Sequence, residues 1–224
     1  MNTSDNTDNL RLSKEALQYL VKTPNITTEK TPLIILLHGV GSNEQDLFSF
    51  ANQIPDHFLI ISARAPHTIG QGSYAWFQVN FSSQKRIINY EQAEESRKLI
   101  IQFIGQLKER YSFDEKQVYL IGFSQGGIMS YSVGLTRPDL VKGIAVMSGR
   151  LLEEVKPLIT INENLTALKI FISHGINDNV LNIQYARDSF SYLKTMNNNL
   201  VYKEYIEGHT INNEMRFDLI NWLA

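Results

Sequence analysis

The chain has 224 residues, a formal net charge of −2 and no cysteine. That length suits one α/β domain with a full core, and the near-neutral balance offers no basic field for nucleic acid or an anionic membrane. The missing cysteines exclude disulfides, thiolate metal sites and a cysteine nucleophile.

The opening stretch, MNTSDNTDNLRLSK, lacks the cationic and apolar regions of a signal peptide. No apolar run approaches the ~20 residues that cross a bilayer. The chain therefore reads as soluble and cytoplasmic, with residues 1 to about 10 as a flexible polar arm. ALQYLVKTP fits either a short helix or an edge strand. TPLIILLHG, bounded by Pro32 and Gly39, is a continuous β-branched and leucine run and predicts a strand buried on both faces. NEQDLFSFANQI has helical spacing, with Leu47, Phe50 and Ile54 on one stripe. FLIIS is a second buried strand. The segment from Ser62 to Tyr90 shows little regular pattern. NYEQAEESRKLIIQFIGQLKERY predicts a long amphipathic helix with acids early and bases late, as the helix dipole favours. The strand QVYLIG, a helix from Gln125, and the strands GIAVMSG and KIFISHG follow. IQYARDSFSYLKTM reads as helix, LVYKEYIE as strand and NNEMRFDLINWLA as a closing helix.

Short apolar strands alternating with amphipathic helices predict a mostly parallel sheet covered on both faces. Ligands in such sheets sit beyond the carboxyl ends of the strands. No internal repeat or linker divides the chain, so a single domain over 1–224 is the simplest organisation.

One of those strand ends carries chemistry. In QVYLIGFSQGGIMSYSVGL, Ser124 stands between Gly122 and Gly126 at a strand-to-helix junction. This is the Gly-x-Ser-x-Gly pattern of a nucleophile elbow, where a strained turn lifts the hydroxyl above the sheet and flanking side chains would collide. The helix that follows points free N–H groups and its positive end at the site.

Serine needs a base, and the base needs an orienting carboxylate. On elbows of this kind the chain order is serine, acid, histidine. Of the five histidines, His38, His57, His67 and His174 precede any suitable acid, which leaves His209 in the turn EGHT. Asp178 lies just past the strand end IFIS. Its rivals fit less well: Asp139 follows a helix, Asp188 lies within one, Glu204 belongs to a strand, and Glu207 is only two residues from the histidine. In LLHGVGS, Gly39 and Gly41 free the backbone to turn an amide inward, making the Val40 N–H one oxyanion donor and the Gln125 N–H the other. Other motifs are missing: no Gly-Lys-Ser/Thr phosphate loop, no dinucleotide fingerprint and no His-Glu-x-x-His. His174 and Asp178 lack a third ligand at metal-binding spacing, so neither metal nor cofactor is expected.

The landmarks LLHGVGSNEQDL, SARAP, YAWFQ, GFSQGG, MSGRL, HGINDNV and GHTI run in order from about Pro32 to His209. In them the chain resembles the phospholipase/carboxylesterase family of α/β-hydrolases, which includes the acyl-protein thioesterases. The resemblance implies an α/β-hydrolase fold, a Ser124, Asp178 and His209 triad, and a Val40 and Gln125 oxyanion hole. It further implies hydrolysis of an ester or thioester without a cofactor. Asn179 stands where many relatives carry proline, Gln78 where an aspartate is common, and EGHTI is closer to the bacterial carboxylesterase branch.

Tyr74, Trp76 and Phe77 leave a strand end on the active face. They could wall an acyl pocket or simply pack their loop onto the core. Between Ser148 and Lys169 there is too little chain for a large cap domain, so an open site for short- to medium-chain esters is expected, with lysophospholipids and thioesters as further substrates. Acyl transfer to another acceptor would use the same residues, and a catalytically silent binding protein would have no need of an activated serine. Oligomeric state is not legible.

Overall fold

The computed structural model describes residues 16–82 and 85–224. The polar arm at residues 1 to about 10 lies outside them.

The chain order of elements begins with the strands β1 (Tyr19–Lys22) and β2 (Leu33–Leu37), the short helix α1 (Gln45–Phe48) and strand β3 (Leu59–Ala63). Two hairpins follow, β4 (His67–Gly70) with β5 (Ser73–Ala75), and β6 (Val79–Ser82) with β7 (Lys85–Ile88). Then come helix α2 (Tyr90–Arg110), strand β8 (Val118–Phe123), helix α3 (Gln125–Thr136) and strand β9 (Gly143–Met147). The last part holds α4 (Glu163–Ala167), β10 (Lys169–Gly175), α5 (Gln184–Leu193), β11 (Leu200–Tyr205) and α6 (Asn213–Leu223).

Seven strands form the central sheet in the order β1-β3-β2-β8-β9-β10-β11. Only the β1–β3 pair is antiparallel. The architecture is the α/β-hydrolase fold that the resemblance implies, and the sheet is mostly parallel, as the strand–helix alternation predicts. Strand β2 shows why. Leu33, Ile35 and Leu37 enter the core on one face with Ile100, Phe103 and Ile104 of α2. Ile34 and Leu36 enter the other with Leu47 of α1 and Leu219 and Leu223 of α6. With both faces covered, alternation disappears and the strand reads as an unbroken apolar run. Helix α3 is buried along Gln125 to Leu135.

Three expectations change. The ambiguous ALQYLVKTP contains the edge strand β1, whose Tyr19 pairs with Ala63 of β3. The helical stripe at NEQDLFSFANQI breaks into α1 and a 3₁₀ turn at Ala51–Gln53. Ile54, held extended (φ −76°, ψ 140°) before Pro55, cannot continue the helix. Leu47, Phe50 and Ile54 are buried all the same. The segment from Ser62 to Tyr90 is not patternless: it carries both hairpins. Strands of three or four residues are too short for side-chain alternation to register, and backbone pairing alone shows them.

Candidate active site

Ser124 sits at the end of β8 with φ 54° and ψ −117°, and its N–H is tied to the Met147 carbonyl at 2.9 Å. A non-glycine residue at positive φ stores strain that the surroundings must hold. Here the flanking glycines hold it. A Cβ on Gly122 would run into the Gly126 carbonyl, and one on Gly126 into the Leu37 carbonyl.

Two loops bring the partners. Strands β10 and β11 run parallel, pairing His174 with Glu204 and Gly175 with Tyr205. Beyond them the Ile176 N–H donates to the Tyr205 carbonyl (2.8 Å) and the Asn177 N–H to the Glu207 carbonyl (2.9 Å). A side chain on Gly175 would strike the backbone carbonyls of Glu207 and Gly208, so only glycine lets the acid loop and the histidine loop close on each other. Asp178 Oδ2 then accepts from His209 Nδ1 at 2.7 Å, and His209 Nε2 lies 2.9 Å from Ser124 Oγ. With the ring proton on Nδ1, Nε2 is left to accept the serine proton. The Phe123 ring packs against the imidazole, with centroids 4.9 Å apart.

The carboxylate is fixed on every side. Asp178 Oδ1 accepts from the N–H groups of Val180 (2.8 Å) and Leu181 (2.7 Å). Oδ2 lies 3.2 Å from Nε2 of His174, which also donates to the Leu181 carbonyl at 2.7 Å. A carbonyl can only accept, so His174 Nε2 carries a proton. Burial holds the His174 imidazole below its ordinary value, against the pull of that carbonyl and of Asp178.

Across the cleft, His38 orients a peptide. Its Nε2 accepts from the Ala65 N–H (3.0 Å), which leaves the proton on Nδ1 to donate to the Gly39 carbonyl (2.7 Å). Burial holds this ring below its ordinary value as well. In a trans peptide the carbonyl and the next N–H point opposite ways, so the Val40 N–H faces away from His38. Among the described residues that N–H has no backbone acceptor. The Gln125 N–H, in the first turn of α3, has none within its helix. An open cleft of about 1140 Å³ lies over Ser124 and Gln125, with Val40, Phe77, Ile88, Ile128 and Leu181 in its lining.

A backbone elbow and a hydrogen-bonded serine–histidine–aspartate series meet at the carboxyl edge of the sheet, beside the Val40 and Gln125 amides. Comparison with known proteins agrees: the phospholipase/carboxylesterase family profile matches residues 21–224. The chain belongs to that family. It is a serine hydrolase, and membership implies ester substrates. The hydrolase is 26% identical over 196 residues to an acyl-protein thioesterase 1 of Mycosarcoma maydis, covering 80% of this chain and 82% of that protein. In fold it is similar to a carboxylesterase from Mesorhizobium loti, with a TM-score of 0.82 at 17% identity over 97% of this chain and 99% of that one. A carboxylesterase of Bacillus cereus gives 0.79 at 20% identity, covering 92% of this chain and 93% of that one. No described helix of the hydrolase is long and apolar enough to cross a membrane.

The structure brings Ser124, Asp178 and His209 together and engages the rival acids elsewhere. Asp139 pairs with Arg137 and Glu204 with Arg187, Asp188 accepts from Gln184, and Glu207 accepts from Asn212. Of the three aromatics singled out from the sequence, Phe77 lines the cleft. Trp76 and Tyr74 lie behind it as struts. Trp76 Nε1 donates to the His38 carbonyl at 2.9 Å, and the Trp76 N–H donates to Gln125 Oε1 at 3.1 Å. Tyr74 exchanges backbone hydrogen bonds of 2.9 Å with Gly41 and Ser42, and its ring lies 4.5 Å from the Arg64 guanidinium. Hairpin β4–β5 thus clips the Val40 loop in place. Sequence reasoning missed His174, which it weighed only as a base or metal ligand. The HGIND spacing that puts a histidine four residues before the acid was the available signal.

Proposed function

We propose that this hydrolase is a carboxylesterase that cleaves short- to medium-chain acyl esters through an acyl-enzyme on Ser124. The observation that carries the reading is the continuous hydrogen-bond series from Asp178 through His209 to Ser124, opening into the cleft. As Ser124 Oγ attacks the carbonyl carbon, its proton passes to His209 Nε2. Asp178 stabilises the imidazolium and keeps the ring aligned. The carbonyl oxygen becomes an oxyanion facing the Val40 and Gln125 N–H groups. Losing even one oxyanion donor in such a site costs about 2.7–4 kcal/mol. His209 then gives its proton to the leaving alcohol, and the C–O bond breaks. In the second half His209 takes a proton from water, whose oxygen attacks the acyl carbon; the C–Oγ bond then breaks as His209 returns that proton to Ser124 Oγ, releasing the acid.

The likeness to an acyl-protein thioesterase supports trying thioesters beside oxygen esters, since the same atoms would act on both. The test is turnover of a p-nitrophenyl ester and an acyl thioester by the native chain, Ser124→Ala and His209→Ala. Loss of nearly all turnover in both folded variants is expected. Turnover kept in Ser124→Ala would remove the acyl-enzyme reading.

A further inference from the structure

Four arginines of the hydrolase grip a carboxylate through a two-point fork of Nε and a terminal nitrogen. They are Arg64 on Glu44, Arg97 on Glu94, Arg137 on Asp139 and Arg187 on Glu204. Arg150 does not. It lines the cleft that holds Ser124, and among the described residues it has neither an ion pair nor a hydrogen bond. Its guanidinium carbon lies 4.9 Å from the Tyr185 ring, itself part of the cleft lining, and its charge is felt by the Tyr90 hydroxyl. A guanidinium laid on an aromatic face is held in place with its N–H edge still unused.

The surroundings sharpen the contrast. Among the described residues the other charged side chain in the lining is Asp178, whose oxygens accept from His209 and two amides, with His174 Nε2 3.2 Å away. Burial and Glu154 push the Tyr90 hydroxyl above its ordinary value, and Arg150 pulls it down. The remaining described walls are apolar or neutral, including Phe77, Val79, Ile88 and Ile128. The position is fixed by the fold. Met147 at the end of β9 pairs with Phe123 and accepts the Ser124 N–H, and Arg150 follows three residues later, within about 11 Å of chain. An open cationic fork therefore faces the same cleft as the nucleophile, one strand over.

We propose that Arg150 is a specificity-determining residue that binds a carboxylate on the acyl part of the substrate. The preferred substrates are then half-esters of dicarboxylic acids rather than neutral esters. This rests on the esterase reading above. The planar fork pairs two N–H groups with two carboxylate oxygens, a match an amide or ammonium does not reproduce. A phosphodiester oxyanion, as in a lysophospholipid, offers similar chemistry and is the arm to be distinguished.

The experiment compares kcat/KM for p-nitrophenyl half-esters of succinate, glutarate and adipate with neutral p-nitrophenyl esters of equal chain length. It uses the native chain, Arg150→Gln and Arg150→Lys, with lysophosphatidylcholine as a separate substrate. At least one half-ester should exceed its neutral counterpart by tenfold or more. Arg150→Gln should lower that ratio by about 10- to 100-fold, mainly through KM, as expected for a lost charge-assisted pair. Arg150→Lys should restore part of it. Equal use of both ester types by the native chain would overturn the assignment. So would a parallel fall of both in Arg150→Gln, which would make Arg150 a packing residue against Tyr185. A loss confined to lysophosphatidylcholine would move the ligand from carboxylate to phosphate. No turnover of any ester would remove the esterase reading and this one with it, whereas good turnover of neutral esters alone would remove only this one.

Discussion

Replacing His174 with alanine should harm catalysis and stability by separable amounts. The ring is fully buried and donates from Nε2 to the Leu181 carbonyl at 2.7 Å, with Asp178 Oδ2 3.2 Å away. Alanine leaves that carbonyl without its donor, which costs about 1–3 kcal/mol of stability. The acid keeps its three donors, two amides and His209, and loses only the His174 ring edge packed 3.2 Å from Oδ2. About 1 kcal/mol of lost alignment corresponds to about a fivefold fall in kcat. Glutamine, which can still donate a side-chain N–H, should recover part of both.

The pH dependence carries a sign of its own. Burial holds His174 below its ordinary value, so the unfolded chain binds a proton there that the folded protein refuses. Stability then rises with pH, is fully present above the unfolded value near 6.5, and is lost as pH falls towards the folded value. His174→Ala should flatten this decline, and the similarly lowered His38 should keep some of it. The assays are urea unfolding from pH 5 to 8 and kcat on a p-nitrophenyl ester, expressed per folded molecule. A kcat unchanged per folded molecule, with only stability reduced, would refute the positioning role.

Further outcomes follow from the same geometry. Asp178→Asn should cut kcat by about 10⁴-fold through the wrong His209 tautomer. Glu207→Gln, altering a side chain bonded to Asn212, should leave most activity; steady-state kinetics of the two variants reverses the assignment if the losses are exchanged. In neutral p-nitrophenyl esters from acetate to palmitate, kcat/KM should rise by up to about fourfold per carbon, at about 0.8 kcal/mol per methylene, while Phe77, Val79 and Ile128 still offer wall. It should then level off, with no jump above the solubility limit; a steady climb to palmitate would contradict an open cleft.

Much of this was legible because burial leaves a strong mark. Strands such as β2, covered on both faces, read as unbroken apolar runs, and Gly122 and Gly126 stand where no side chain fits. The hairpins β4–β5 and β6–β7 were not legible, being made of backbone pairing over three or four residues. β1 stayed ambiguous because four residues at a sheet edge carry too little pattern. The roles of Tyr74 and Trp76 depend on what their backbones and rings meet, the loop after β2 and the Gln125 side chain. His174 acts through a carbonyl and a carboxylate seven and four residues away, contacts that a residue type alone does not announce. Arg150 stands out only when Arg64, Arg97, Arg137 and Arg187 are seen to be paired with carboxylates.

The central claim is that Ser124 is the nucleophile. Its most direct test is to label the folded chain with a fluorophosphonate and map the adduct by peptide mass spectrometry. One adduct per chain on Ser124, abolished in Ser124→Ala and strongly slowed in His209→Ala, is the expected result. An adduct on Ser148 or Ser173, or labelling that survives in Ser124→Ala, would contradict it.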